Sequence, residues 1–156
     1  MWTRRTVVSL MFLVTFIISA GSAAAQTKAI GIRAGVSASP DQFYIGAHMN
    51  VKEIVENFWF RPNAEVGFGD GLTLLTLNPE FVYNLRIKSR EWTPYIGGGP
   101  SFLVGSFDTG AGHRDTDTGG GFNFVGGIQQ RKGFMAEIKI GAFDSPDFKL
   151  GIGWTW

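Results

Sequence analysis

Cysteine is absent from the 156 residues, which excludes disulfides, thiol nucleophiles, thiolate metal sites and a lipidated N-terminal cysteine. Charge is scarce as well. Asp, Glu, Lys and Arg make up 17% of the chain and the formal net charge is +1, so no basic field exists to hold a nucleic acid. The 2 histidines leave little material for general-base or metal chemistry. Long apolar runs are missing too: the longest, Val7 to Ile18 with Ser9 and Thr15 inside it, falls short of the roughly 20 residues a helix needs to cross hydrocarbon. A polytopic helical membrane protein is thereby excluded. The length provides for one domain.

The apolar run has a different use. Arg4 and Arg5 precede it, and Ala23-Ala24-Ala25 follows as a small-residue cleavage site before Gln26. Residues 1–25 are therefore expected to be a secretory signal peptide, and residues 26–156 the mature domain. Without Arg4 and Arg5 the 14 basic side chains become 12, against 13 acidic ones.

Glycine (22) and phenylalanine (14) are abundant, and a period of two dominates from Gln26 onward. Successive side chains of a strand point to opposite faces, so apolar residues at every second position mark strands. Eight such segments occur: 30–36, 43–51, 58–68, 75–87, 92–105, 121–129, 134–142 and 148–156. In the first, Ile30, Ile32, Ala34 and Val36 oppose Gly31, Arg33 and Gly35. In the last, Phe148, Leu150, Ile152, Trp154 and Trp156 oppose Lys149, Gly151, Gly153 and Thr155. The pattern predicts an all-β fold, an eight-stranded antiparallel up-and-down barrel.

Alternation does not say which face is inside. A soluble lipocalin-like barrel turns its apolar face inward around a ligand; a transmembrane barrel turns it outward to lipid. The apolar set here, rich in Phe, Leu and Trp, exceeds what an eight-strand interior holds. The other set is rich in glycine, which suits a crowded lumen and would be a poor solvated exterior. No Gly-x-Trp, usual in lipocalins, stands near the start of the mature domain. The outward assignment puts Arg33, His48, Arg61, Glu65, Glu80, Arg86, Glu137, Lys139 and Lys149 in the lumen, where opposite charges can pair.

With both termini on the periplasmic side, the inner connections are 52–57, 88–91 and 130–133, and the outer ones 37–42, 69–72, 106–119 and 144–147. The longest connection then lies outside, as in transmembrane barrels. Aspartates 41, 70, 108, 115, 117, 144 and 147 collect there. Trp59, Trp92, Trp154 and Trp156 suit interfacial girdles, although Trp59 falls on the polar face. Pro79 and Pro100 lie inside strands and each removes a ladder donor, so a bulge or bend is expected at both.

The signal peptide, the eight alternating strands, the segment Tyr95-Ile96-Gly97-Gly98-Gly99-Pro100 and the ending Gly153-Trp154-Thr155-Trp156 together resemble the small porin-like outer-membrane β-barrel proteins of Gram-negative bacteria. The resemblance implies an outer-membrane location amid lipid and lipopolysaccharide. It also implies assembly by the barrel-assembly machinery, with Leu150, Ile152, Trp154 and Trp156 as the signal. Most members end in Phe where this chain has Trp. Activity is not implied, since that family includes adhesins, surface scaffolds, narrow pores and many uncharacterised members.

Candidate chemistries are few. His48 reads as a lumen filler and His113 as a solvated loop residue. No strand offers the Ser, His and acidic orienter of a hydrolase. Asp115-Thr116-Asp117-Thr118-Gly119 begins like a calcium loop, but Gly126 occupies the position that needs Glu. Gly67 to Gly71 and Gly97 to Gly99 lack a following helix, so they are not nucleotide loops. The expectation is a cofactor-free, non-enzymatic barrel with a structural or surface-interaction role. The alternatives are a narrow pore, a lipid-modifying enzyme and a soluble binding barrel.

Overall fold

The computed structural model describes residues 29–69, 71–108 and 114–156; residues 1–28, with the expected signal peptide, as well as Asp70 and 109–113 with His113, lie outside the described residues. Every regular element described is a strand: β1 (Ala29–Ala38), β2 (Gln42–Asn50), β3 (Lys52–Val55), β4 (Phe58–Gly69), β5 (Leu72–Asn84), β6 (Trp92–Asp108), β7 (Arg114–Gln130), β8 (Phe134–Phe143) and β9 (Phe148–Thr155). Neighbours run antiparallel in the order β2-β1-β9-β8-β7-β6-β5-β4-β3, and pairing of β2 with β4 closes the ring. Since β2 and β3 are two parts of one wall strand, the fold is an eight-stranded antiparallel up-and-down barrel. Trp156 N donates to Ile30 O, so both ends of the described chain lie at one end of the barrel, here the terminal end.

Proline explains two of the places where the wall departs from regularity; a further register shift, between Glu53 and Val55, involves none. His48 lies opposite Asn63 and Lys52 opposite Phe60, so the chain takes four steps on one side against three on the other. Val51 N donates to Phe60 O, which sets the even-numbered residues of β4 facing this neighbour. Pro62 falls in that phase with no N–H to give, and the extra residue is absorbed there as a bulge. Between β5 and β6 the result is different. Leu85 N donates to Pro94 O, and in that phase Pro79 confronts Pro100 with no donor on either strand. Leu77 still pairs with Phe102, and Phe81 with Gly98. Of the bulge or bend expected at Pro79 and Pro100, the bulge is absent: two missing donors placed opposite each other interrupt the ladder without shifting its register.

The faces divide by alternation. Ile32, Ile45, Phe102, Phe124, Ile140 and Ile152 are exposed on the outside, while Arg33, Glu65, Asn78, Glu80, Asn123 and Lys139 are buried inside. Apolar wall and polar lumen are the arrangement a barrel takes in hydrocarbon, where every strand is bonded on both sides. Outward aromatics gather at both ends, with Phe60, Phe81, Trp92, Phe134 and Trp154 near the terminal end and Phe43, Phe68 and Phe148 near the other. Trp59 is not among them; it packs inward against buried Val82, Tyr95, Val125 and Met135.

The long connection expected over 106–119 is mostly strand. Residues of β6 and β7 pair from Trp92↔Gln130 to Asp108↔Arg114, whereas β5 accompanies β6 only to Phe107 and β8 reaches β7 only from Gly121. Every second residue of 116–120 is Thr or Gly rather than large and apolar, so no lipid-facing signal marked this stretch as strand.

Candidate functional site

The lumen is the one place in this fold where polar chemistry concentrates. At its centre Lys139 Nζ lies 2.7 Å from Glu80 Oε1 and 2.8 Å from Glu65 Oε1. Lys149 holds the other Glu65 oxygen at 2.7 Å, and Arg33 reaches Glu137 at 2.5 Å and Glu65 at 3.6 Å. Tyr95 donates to the second Glu137 oxygen at 2.9 Å. Three carboxylates thus share three cations in a closed network, which offsets the cost of burying each charge.

Arg61 is the fourth lumen cation. Among the described residues no carboxylate pairs with it; Asn50 Oδ1 at 2.8 Å, Gln129 Oε1 at 3.1 Å and the Tyr95 ring at 4.6 Å hold it instead. His48 is enclosed, with Nε2 2.9 Å from Thr155 Oγ1.

Amides brace the wall beside the charges. Asn78 Oδ1 accepts from Ser101 Oγ at 2.6 Å and from Asn123 Nδ2 at 3.0 Å, and Asn78 Nδ2 donates to Asn63 Oδ1 at 2.8 Å. Asn78 precedes Pro79 and Ser101 follows Pro100. Their side chains bridge β5 and β6 directly behind the gap in the backbone ladder.

Glycine makes room for the two lumen tyrosines. A Cβ on Gly127 would stand 2.5 Å from Tyr95 Oη, and one on Gly35 would stand 2.7 Å from Tyr44 Oη. Side chains there would displace the rings.

Two apolar layers bound this polar centre. Toward the terminal end, Val82, Tyr95, Val125 and Met135 are each at most 4% exposed and form a cluster with Trp59 against it. Toward the far end lie Leu74 and Leu103, and above them the turn after β8 folds inward, burying Ser145 and Pro146. Between that turn and the leucines is a cavity of about 290 Å³. These layers flank the ion pairs on both sides.

Placement of the sequence-derived residues follows from these contacts. Arg33, His48, Arg61, Glu65, Glu80, Glu137, Lys139 and Lys149 all lie in the lumen. Arg86 does not. Its side chain is 63% exposed and pairs with Glu56 on the neighbouring turn, because β5 ends at Asn84 and alternation no longer fixes a face beyond it. The hydrogen bond to the Glu56 carboxylate, with its charge, raises the guanidinium above its ordinary pKa. Leu150, Ile152 and Trp154 point outward from β9, and Trp156 follows that strand's end. Alternation places Tyr44, Tyr95, Asn63, Asn78, Ser101 and Asn123 on the inward face without assigning them a role; the apolar layers of Leu74, Leu103, Val82, Val125 and Met135 were missed. They occupy the same inward phase as the charges, and extending that phase along each strand would have found them.

No family model matches the sequence, and no characterised protein matches it by sequence. Solved structures do. Neisserial surface protein A is 13% identical, with a TM-score of 0.65 over 82% of this chain and 94% of that one. The N-terminal β-barrel domain of Pseudomonas aeruginosa OprF is 10% identical, with a TM-score of 0.60 over 83% and 96%. The outer membrane enzyme PagL is 11% identical, with a TM-score of 0.51 over 81% and 97%. At such identities the likeness concerns the backbone alone: the chain has the fold of the small eight-stranded outer-membrane β-barrels.

Proposed function

We propose that the protein is an outer-membrane barrel with a non-catalytic, surface-interaction role, its termini in the periplasm and its far end outside the cell. The layered lumen is the observation that carries this reading. A network of buried ion pairs, sealed by the Val82, Tyr95, Val125 and Met135 cluster, is a structural filling with no route for a solute. Activity is then left to the ends. Lipid-processing chemistry is disfavoured among the described residues because their histidine, His48, is enclosed in the lumen, away from any lipid substrate.

The ends differ in charge. Lys52, Arg86, Lys88, Arg90, Arg131 and Lys132 lie toward the terminal end, with Glu53, Glu56 and Glu91 among them. Asp41, Asp115, Asp117, Asp144 and Asp147 lie at the far end. In this reading lipopolysaccharide and phospholipid surround the wall, and the barrel-assembly machinery reads Leu150, Ile152, Trp154 and Trp156.

The decisive experiment joins cell fractionation to reconstitution. The expected results are outer-membrane recovery, a gel mobility that shifts on boiling, labelling of a cysteine placed at Asp147 on intact cells, and liposomes that neither swell in arabinose nor conduct. A soluble product, or a labelled terminal end, would overturn the location or its orientation; a reproducible conductance would replace the plug with a pore.

A further inference from the structure

The cavity at the far mouth of the lumen differs in chemistry from everything beneath it. Its floor is Leu72, Leu74 and Leu103, with Phe107 at the rim, all on strand positions that face inward. These residues break the polar pattern that Thr76, Asn78 and Glu80 continue one step deeper. Leu72 and Leu74 come from β5 and converge on Gly105 of β6. A Cβ there would meet Leu72 Cδ1 at 3.3 Å, Phe107 Cε2 at 3.5 Å and Leu74 Cδ1 at 3.8 Å.

Two carboxylates stand over the floor. Asp117 lies opposite Gly105 in the β6 and β7 ladder and so faces the same side. Asp144 approaches from the turn after β8, beside the same strand β7; its Oδ2 accepts from Gly120 N at 3.1 Å. Among the described residues, Asp117 is tied only to the adjacent Thr118 amide, at 2.8 Å. Among the described residues, neither carboxylate has a basic partner.

We propose that this cavity binds a small organic cation with an apolar body, the body on the leucine floor and the charge between Asp117 and Asp144. A cavity of about 290 Å³ is at the small end for ligand sites and fits roughly one aromatic ring with a substituted ammonium head. Apolar lining with a few convergent polar groups is the composition such sites share. An anion would meet two carboxylates, and a purely polar cation would leave the leucines wet. The inference rests on the far end facing outward, because only then does the mouth open to extracellular solutes.

The test uses the mature barrel refolded into phospholipid nanodiscs with methyl-labelled leucine. Benzyltrimethylammonium should shift the Leu72, Leu74 and Leu103 methyls saturably, while outward Leu77 and Leu150 report mere partition into lipid. Benzyl alcohol should bind about tenfold more weakly, phenylacetate not at all, and added salt should weaken the cation. Asp117→Asn with Asp144→Asn should bring the cation down to the level of the alcohol, and Gly105→Leu should fill the site. An equal response to cation, alcohol and anion overturns the inference. So does a folded barrel whose inner leucine methyls ignore all three, or a double variant with unchanged affinity. Failure of the barrel to reach the outer membrane, or to expose this end, would instead overturn the reading on which it rests.

Discussion

Replacing Lys139 with Met tests whether the lumen is held by its ion pairs. Met keeps the length of the side chain and removes only the ammonium. Lys139 is 1% exposed, and it alone among the described residues pairs with Glu80, at 2.7 Å. With an effective dielectric constant near 20, attraction at that distance is roughly 6 kcal/mol before desolvation is counted. Glu65 keeps Lys149 and Arg33 after the change, whereas Glu80 is left as a buried charge without a partner. The expected loss is about 3 to 5 kcal/mol, the usual cost of breaking a buried pair from one side. Adding Glu80→Gln removes the stranded charge and should restore more than half of that loss. Reversible urea unfolding in phospholipid vesicles, followed by tryptophan fluorescence, measures all four corners of the cycle. A loss below about 1 kcal/mol for Lys139→Met would refute the idea that these charges are closed off from water. Simple additivity of the two changes would show that Lys139 and Glu80 do not act as a pair.

Asn78→Ala takes the acceptor from both Ser101 and Asn123 and should cost about 2 to 3 kcal/mol, with faster hydrogen exchange confined to amides flanking the proline gap, such as Phe81 and Gly98. Uniform acceleration along β5 would mean that the side chains do not substitute for the missing ladder bonds. Gly127→Ala brings a Cβ to 2.5 Å from Tyr95 Oη and should destabilise by about 1 to 3 kcal/mol in the same unfolding assay; Gly126→Ala, with open space around it, should not. Trp156→Ala should lower the outer-membrane level of the protein by more than half while leaving refolding into vesicles unchanged, and a matching loss in vitro would make Trp156 a stability residue instead of an assembly signal. Arg86→Ala should leave the unfolding midpoint where it is, since both members of the Glu56 pair are largely in water.

The barrel was legible because its wall obeys one rule. An apolar residue at every second position, from Ile30 to Trp156, needs only the period of a strand to be read. Placing the charges required a second step, the bulk of the apolar face, and that step put eight of nine candidates in the lumen. Arg86 failed because the rule ends with the strand. Pro62, Pro79 and Pro100 show a further limit: whether a missing donor produces a bulge or a gap depends on what it faces across the ladder. Pro62 faces a strand that can slip by one residue; Pro79 faces Pro100, and slipping would gain neither of them a donor. Facing relations of this kind belong to register, which spacing within one strand does not carry.

The composition of the lumen also limits where function can reside. In a membrane the wall must be apolar, so charged side chains can sit only inside or at the rims. Inside, each charge but Arg61 is answered by an opposite one at short range, and apolar layers close the stack above and below. Rearranging such a network for a passing solute would strand several buried charges at once, at a cost comparable to the whole stability of a domain. The rims are under no such constraint. Among the described residues, Asp117 and Asp144 have no basic partner over a floor of leucine. At the far end the layer that closes the stack is therefore also an apolar floor under open carboxylates, and that pairing of leucine with exposed charge is what packing alone explains least.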